Sequence, residues 1–358
     1  MRPRIGLVAL AVLALGGGCK EHKRAAPPPA PIAALAAIPV DATAVVGLDV
    51  GRLGRSRLIG RAVDQMLDRD PELRDQLGKL AAACSLDLVK QIKTVHLALG
   101  PAVTTGVRSS LMVATGELSE ANLTHCLQAG VGSGGGDVTV RQSGGRTLYR
   151  LAAGRHVLFF GFGHADTVVL GPREDWVLAG LGDGAKVEAS PVLGPALLAV
   201  ERDAAMWAVA TVDPELGTAL ARLSKNAIAA GPTVVSGALD PLDGVRASAA
   251  FAMKTAGDAR ALADYARGEL AMGTIAAQAL GLGKVLAKVA VRQDGTAVRF
   301  RVDLTDAEVK DVLAAIDRGL PPRQDAQPAA DAGALTPPTL PPPVTPSVIP
   351  FDAGADAR

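Results

Sequence analysis

Aromatic side chains are scarce in this chain of 358 residues: Phe, Tyr and Trp together make up 3%. That leaves little material for base stacking, cation–π cages or an aromatic sugar platform. A surplus of either charge is missing too. Lys and Arg number 37 against 36 Asp and Glu, for a formal net charge of +1. Without a basic excess the chain has no general attraction for phosphate backbones, so no nucleic-acid partner is expected. Three cysteines are too few for a disulfide-dense scaffold. No apolar run reaches the ~20 residues that a spanning helix needs, because each is broken by a charge, Gly or Pro within a few residues. What is present is 49% hydrophobic and 20% charged, a balance that supports a packed core and argues against disorder of the whole chain.

The first segment reads as an address. Met1-Arg2-Pro3-Arg4 supplies a positive start, and Ile5 to Leu15 is an apolar run of 11 residues, the size of a signal-peptide core and short for a membrane span. Gly16-Gly17-Gly18-Cys19 follows. Small residues directly before a Cys resemble the lipobox of bacterial lipoproteins, with Leu15 displaced by one from its usual place. The resemblance implies removal of residues 1–18 and acylation of Cys19, with palmitate-like chains holding the protein to the lipid bilayer at roughly 0.8 kcal/mol per buried CH₂. The alternative is an ordinary secretory signal with an incidental Cys. Lys20, standing where an Asp would signal retention at the inner membrane, favours the outer membrane. The expected location is the bacterial cell envelope, lipid-anchored and facing the periplasm. Residues 19–38 read as a Pro/Ala-rich tether, and residues 321–358, crowded with Pro, Ala and Asp, as a disordered tail.

Between these ends the chain has the length of two modules, 39–195 and 196–320. Internal echoes support a repeat. Thr94-Val95 and Ala98-Leu99 match Thr233-Val234 and Ala238-Leu239; Gly106-Val107-Arg108 matches Gly244-Val245-Arg246; and Val140-Arg141-Gln142 matches Val291-Arg292-Gln293. Val45–Val50 and Met206–Val212 are β-rich openings. Ser56 caps an expected helix carrying Leu58, Ile59, Ala62, Val63, Met66 and Leu67 at helical spacing. Asp70-Pro71 restarts a helix with Leu73, Leu77 and Leu80. Ser143-Gly144-Gly145 and Asp294-Gly295 each join two alternating strands, a hairpin signal. Thr305-Asp306-Ala307-Glu308 is a capping box before Val309, Val312, Leu313 and Ile316, with Gly319 and Pro321 as the stop. The expected class is α+β: two similar modules, each an antiparallel sheet with helices packed on one face.

Ile38-Pro39-Val40-Asp41, leading into Val46–Val50, and Cys84-Ser85-Leu86-Asp87, before Ile92-Lys93-Thr94-Val95, resemble segments of a group of myxobacterial-type envelope lipoproteins. The likeness runs across residues 38–318. It implies location and architecture and adds no chemistry.

Candidate chemistry is sparse. Cys84 and Cys126 read first as a disulfide in an oxidising compartment; two buried thiols, or a zinc site completed by His96 and His125, are the alternatives. Adjacent His125 and Cys126 diverge by about 100° on a helix, and no metal-ligand spacing surrounds them. His96 and His156 sit in strand-like runs, and His164-Ala165-Asp166 in a turn with no nucleophile motif beside it. Gly132–Asp137 leads into a strand and lacks the lysine of a phosphate loop. No catalytic residue, metal or cofactor is expected. The favoured function is a non-catalytic binding or structural module in the envelope, with an envelope protein as a possible partner; the alternatives are a carrier or sensor of a lipid or other apolar ligand, and an enzyme of unrecognised type.

Overall fold

The computed structural model describes residues 34–72, 74, 75, 78, 88–102, 108–133, 136–154, 156–223, 228–278 and 281–319. The lipobox with Cys19, His22, the tail, Cys84 and the leucines 73, 77 and 80 lie outside these.

Runs of Val, Ala, Leu and Phe with period 2 form twelve strands. These are β1 (Ala44–Asp49), β2 (Ile92–Ala102), β3 (Arg108–Gly116), β4 (Asp137–Ser143), β5 (Arg146–Ala153), β6 (His156–His164), β7 (Thr167–Gly171), β8 (Met206–Thr211), β9 (Val234–Asp240), β10 (Val245–Ala252), β11 (Ala290–Asp294) and β12 (Ala297–Leu304). They join in one sheet of order β11-β12-β10-β9-β8-β1-β2-β3-β7-β6-β5-β4, and every pairing is antiparallel. Ten helices accompany it among the described residues: α1 (Val50–Arg55), α2 (Arg57–Arg69), α3 (Leu88–Gln91), α4 (Glu120–Ser133), α5 (Glu174–Leu181), α6 (Gly194–Ala199), α7 (Pro214–Leu223), α8 (Ala256–Gln278), α9 (Gly283–Leu286) and α10 (Asp306–Gly319). None of them is long and apolar enough to cross a membrane.

The α+β class holds, but the sheet is not divided in two. β1 pairs with β8, Val45 opposite Val209 and Gly47 opposite Trp207, so the strands that would edge two separate sheets satisfy each other's backbone groups instead. On each side of this seam the chain runs strand, helix, two strands, helix, then a hairpin, with the β6–β7 hairpin additional on the first side. The expected boundary between 195 and 196 falls inside α6. Nor do helices keep to one face. α4 covers Tyr149, Phe160 and Val168 through Leu123 and Leu127, and α8 covers Phe251, Val298 and Phe300 through Ala259, Leu262 and Ala263. The other face, built on Val45, Ala98, Leu111, Val113, Val169 and Val209, lies under Leu35, Ile38, Trp176, Val177, Leu193 and Leu197, which come from the 3₁₀ turn Ala34–Ala37, α5, α6 and their flanks. The end of the expected tether is therefore core: Leu35, Ala37 and Ile38 are apolar and buried.

Local signals behave as their chemistry requires. Ile59 N–H donates to Ser56 Oγ at 3.3 Å, capping α2. Gly144 and Gly145 take φ of 57° and 76°, and Gly295 takes 57°, the left-handed turn positions that favour Gly. Thr305 and Glu308 bond reciprocally, with N–H to Oε2 at 2.8 Å and N–H to Oγ1 at 3.4 Å. The face of α10 differs from expectation: Leu313 is exposed and Ala315 buried, with β12 the strand the helix packs against most.

Candidate functional site

Residues directly opposite across antiparallel strands share a face, so the pairing register alone maps what the second half of the sheet presents. On the side that carries Trp207, one row reads Ser236, Ala250, Arg299 and Arg292, and the next Ala238, Ser248, Arg301 and Ala290. A third holds Asp240, Arg246 and Asp303. Small residues near the seam and long cationic ones toward the edge leave a hollow of about 410 Å³ between them, walled on the far side by Ala199, Val200 and Glu201 at the end of α6. Its size is that of a small-molecule site.

Arg292 and Arg299 stand directly opposite each other. Like charges in that position repel. The internal compensation is partial: Arg299 Nε lies 3.7 Å from Asp294, and Arg301 Nε 3.2 Å from Asp303, which Arg246 also approaches at 3.4 Å. All of these side chains are exposed, so the pairs are weak. Arg292 has no ion-pair partner among the described residues. Neither Ser236 nor Ser248 uses its hydroxyl in a hydrogen bond within them.

Beside this hollow the segment after β1 is tied to the segments around β8 and β9. Asp49 caps α1 by accepting from Arg52 N–H at 2.8 Å, which aims the Arg52 side chain across the seam. Its Nη2 donates to Asp240 Oδ2 at 2.6 Å and its Nη1 to the Asp203 carbonyl. Ser56 Oγ donates to the Pro241 carbonyl at 2.6 Å. Asp240 Oδ1 is buried without a hydrogen-bond partner in the structure.

A second recess, open and about 390 Å³, is lined by Ala34, Leu35, His96, Trp207, Glu188 and Arg202. His96 lies 5.8 Å from the Trp207 ring at a tilt of 57°. Burial, and then the Arg202 charge, lower its pKa and keep the imidazole neutral. Its Nδ1 has no partner in the structure, while Arg202 and Glu188 pair at 3.1 Å at the rim. On the other face, Leu220, Ile228, Pro232, Phe251, Leu262, Tyr265 and Phe300 enclose an apolar recess of about 220 Å³.

The expected site residues do not converge. His125 is exposed on α4 while Cys126 beside it is buried and not a free thiol; Cys84 lies outside the described residues. His156 is exposed at the start of β6, and His164 bonds Asp166 Oδ1 at 2.6 Å, both side chains about half exposed. Among the described residues no three His, Cys, Asp or Glu side chains group to hold a metal. The arginines of the hollow were not among the expected site residues.

No family model matches the chain, and no curated protein does. Among solved structures, a crystal form of TP0453 aligns over 80% of this chain and 97% of that one, with 9% identity and a TM-score of 0.42. A likeness of that size carries no argument about this protein.

Proposed function

We propose that this chain is a lipid-anchored bacterial envelope protein of the myxobacterial type whose folded body, an internally duplicated α+β unit, is a non-catalytic binding module with the open face of β9–β12 as its ligand site. The observation that carries the reading is the opposed pair Arg292 and Arg299 in a walled hollow. An arrangement that repels itself when empty is stabilised when an anion sits between the two guanidiniums. Anchoring rests on the lipobox-like Gly16–Cys19, and the cysteine expectation becomes a Cys84–Cys126 bridge.

The test is native mass spectrometry of the protein extracted from its envelope. The expected result is a mass that starts at an acylated Cys19, falls short by two hydrogens until reduction, and carries a dissociable anionic adduct that Arg292→Gln removes. A chain that starts elsewhere sinks the anchor, and an adduct retained in the variant sinks the site. A second reading, carriage of an apolar ligand, is favoured by the recess between Leu220, Phe251, Leu262 and Tyr265; an adduct lost from Leu262→Arg but kept in Arg292→Gln would select it.

A further inference from the structure

We infer that the group held between Arg292 and Arg299 is a dianionic phosphate borne by a small polar molecule or a lipid headgroup; this rests on the reading of the β9–β12 face as the ligand site.

The donors outnumber what a carboxylate can accept. Residues opposite each other across the strands have Cβ atoms about 5 Å apart, so the Arg292 and Arg299 guanidiniums can reach one common anion. Arg301 follows two residues along β12 on the same face, and the idle hydroxyls of Ser236 and Ser248 lie in the same two rows. A carboxylate offers two oxygens and one charge. A phosphate monoester offers three terminal oxygens and roughly two charges near neutral pH, enough for two guanidinium forks and a further donor at once.

The charges around the hollow bound the size of the ligand. Glu201 lines it from the wall after α6, and Asp294 of β11, Asp303 of β12 and Arg246 of β10 stand beside it on the same side of the sheet, paired with Arg299, Arg301 and Asp303. Glu201 would repel a second phosphate and can accept from a hydroxyl or ammonium group of the ligand. A single phosphate on a small, hydrogen-bonding body satisfies both poles; a polyanion does not. No histidine lines the hollow, so between pH 5.5 and 7.5 the strongly titrating partner is the ligand.

The experiment is calorimetric titration of the purified full chain with inorganic phosphate and with inorganic sulfate, at fixed ionic strength and at both pH values. Phosphate is expected to bind roughly 25-fold more tightly at pH 7.5 than at 5.5, because the second ionisation of free phosphate falls near pH 7, about a unit above that of a monoester, while sulfate, a dianion at both, does not change. Arg292→Gln and Arg299→Gln each weaken phosphate at least tenfold; Arg299→Lys, which keeps the charge and loses the fork, falls between; and Arg150→Gln, on β5, has no effect. Circular dichroism melts establish that each variant is folded, and phosphate should raise the Tm of the parent chain but not of Arg292→Gln. A phosphate affinity that does not change between the two pH values overturns the assignment of a dianionic phosphate and leaves the anion site standing. No heat and no Tm shift with either anion overturns both. Sedimentation with vesicles containing phosphatidic acid, against phosphatidylcholine alone, separates the two sources. Arg292-dependent capture by the former identifies a headgroup, and phosphate binding without capture identifies a soluble ligand; both uphold the inference.

Discussion

One side of the sheet meets two fates along its length. From β9 through the seam to β7 it is filled by apolar side chains, Val234 and Ala238 of β9 included, and roofed by α5, α6 and the segment Ala34–Ile38; from β10 to β12 it carries Ser, Ala and Arg and stays open. The difference lies in side-chain volume and charge, since the backbone pairing is the same. In the covered part, Gly47 and Gly100 make room for the indoles of Trp207 and Trp176, and Val45, Ala98, Leu111 and Val169 complete the packing. In the open part the equivalent inward positions end in guanidiniums, whose desolvation no apolar roof could offset. A cover therefore forms where the ladder is apolar and stops where it becomes charged.

The comparison can be broken most severely at the seam. A side chain on Gly47 would collide with the Trp207 indole, so Gly47→Val should lose about 3 kcal/mol in urea unfolding, and Trp207→Ala in the same chain should recover part of that loss. Arg52→Ala, which leaves the Asp240 carboxylate buried and unpaired, should lose about 2 kcal/mol, less than for a fully buried pair because Arg52 retains partial exposure. Two pH effects follow. His96 has a lowered pKa from burial and from Arg202, so the unfolded chain takes up its proton first. Its contribution is present above the unfolded value near 6.5 and is lost as pH falls below it; His96→Gln should flatten the denaturation midpoint between pH 7.5 and 5. Glu308 is held down to about 2 by its bond to Lys288 and then by those to Thr305. Its contribution is present above the usual carboxylate range and lost as pH falls from about 4.5 through 2, so Glu308→Gln should remove that acid-side slope. The smallest effect sharpens the contrast: Ala250→Leu in the open hollow should change stability by less than about 0.5 kcal/mol, whereas Ala98→Leu under the roof should lose about 2 kcal/mol.

Features set by neighbours in sequence were legible in the residues. The Ser56 cap, the Asp294-Gly295 hairpin and the Thr305–Glu308 box all depend on contacts within a few positions. The seam was not, because the pairing of Val45 with Val209 is fixed by two distant strands having nothing better to pair with. The arginine hollow falls between. A two-residue turn at Gly295-Thr296 places Arg292 opposite Arg299, and Arg299 and Arg301 alternate onto one face, so the signal was present once the hairpin was drawn. Alternating charges on a strand read as a solvated face, and the wall that turns this face into a hollow, Ala199–Glu201, comes from a connection more than 90 residues earlier. The buried Leu35–Ile38 segment was masked by the Pro and Ala around it.

The seam also has a consequence in time. Strand β1 has its first neighbour, β2, soon after it, but its second, β8, follows only after about 160 residues, a loop closure that slows the formation of non-local sheets. A chain delivered from its N-terminal end therefore spends the emergence of about 160 residues with the edge of β1 bare and Gly47 waiting for its indole. The same interval is when proteases and stray β edges find it most vulnerable.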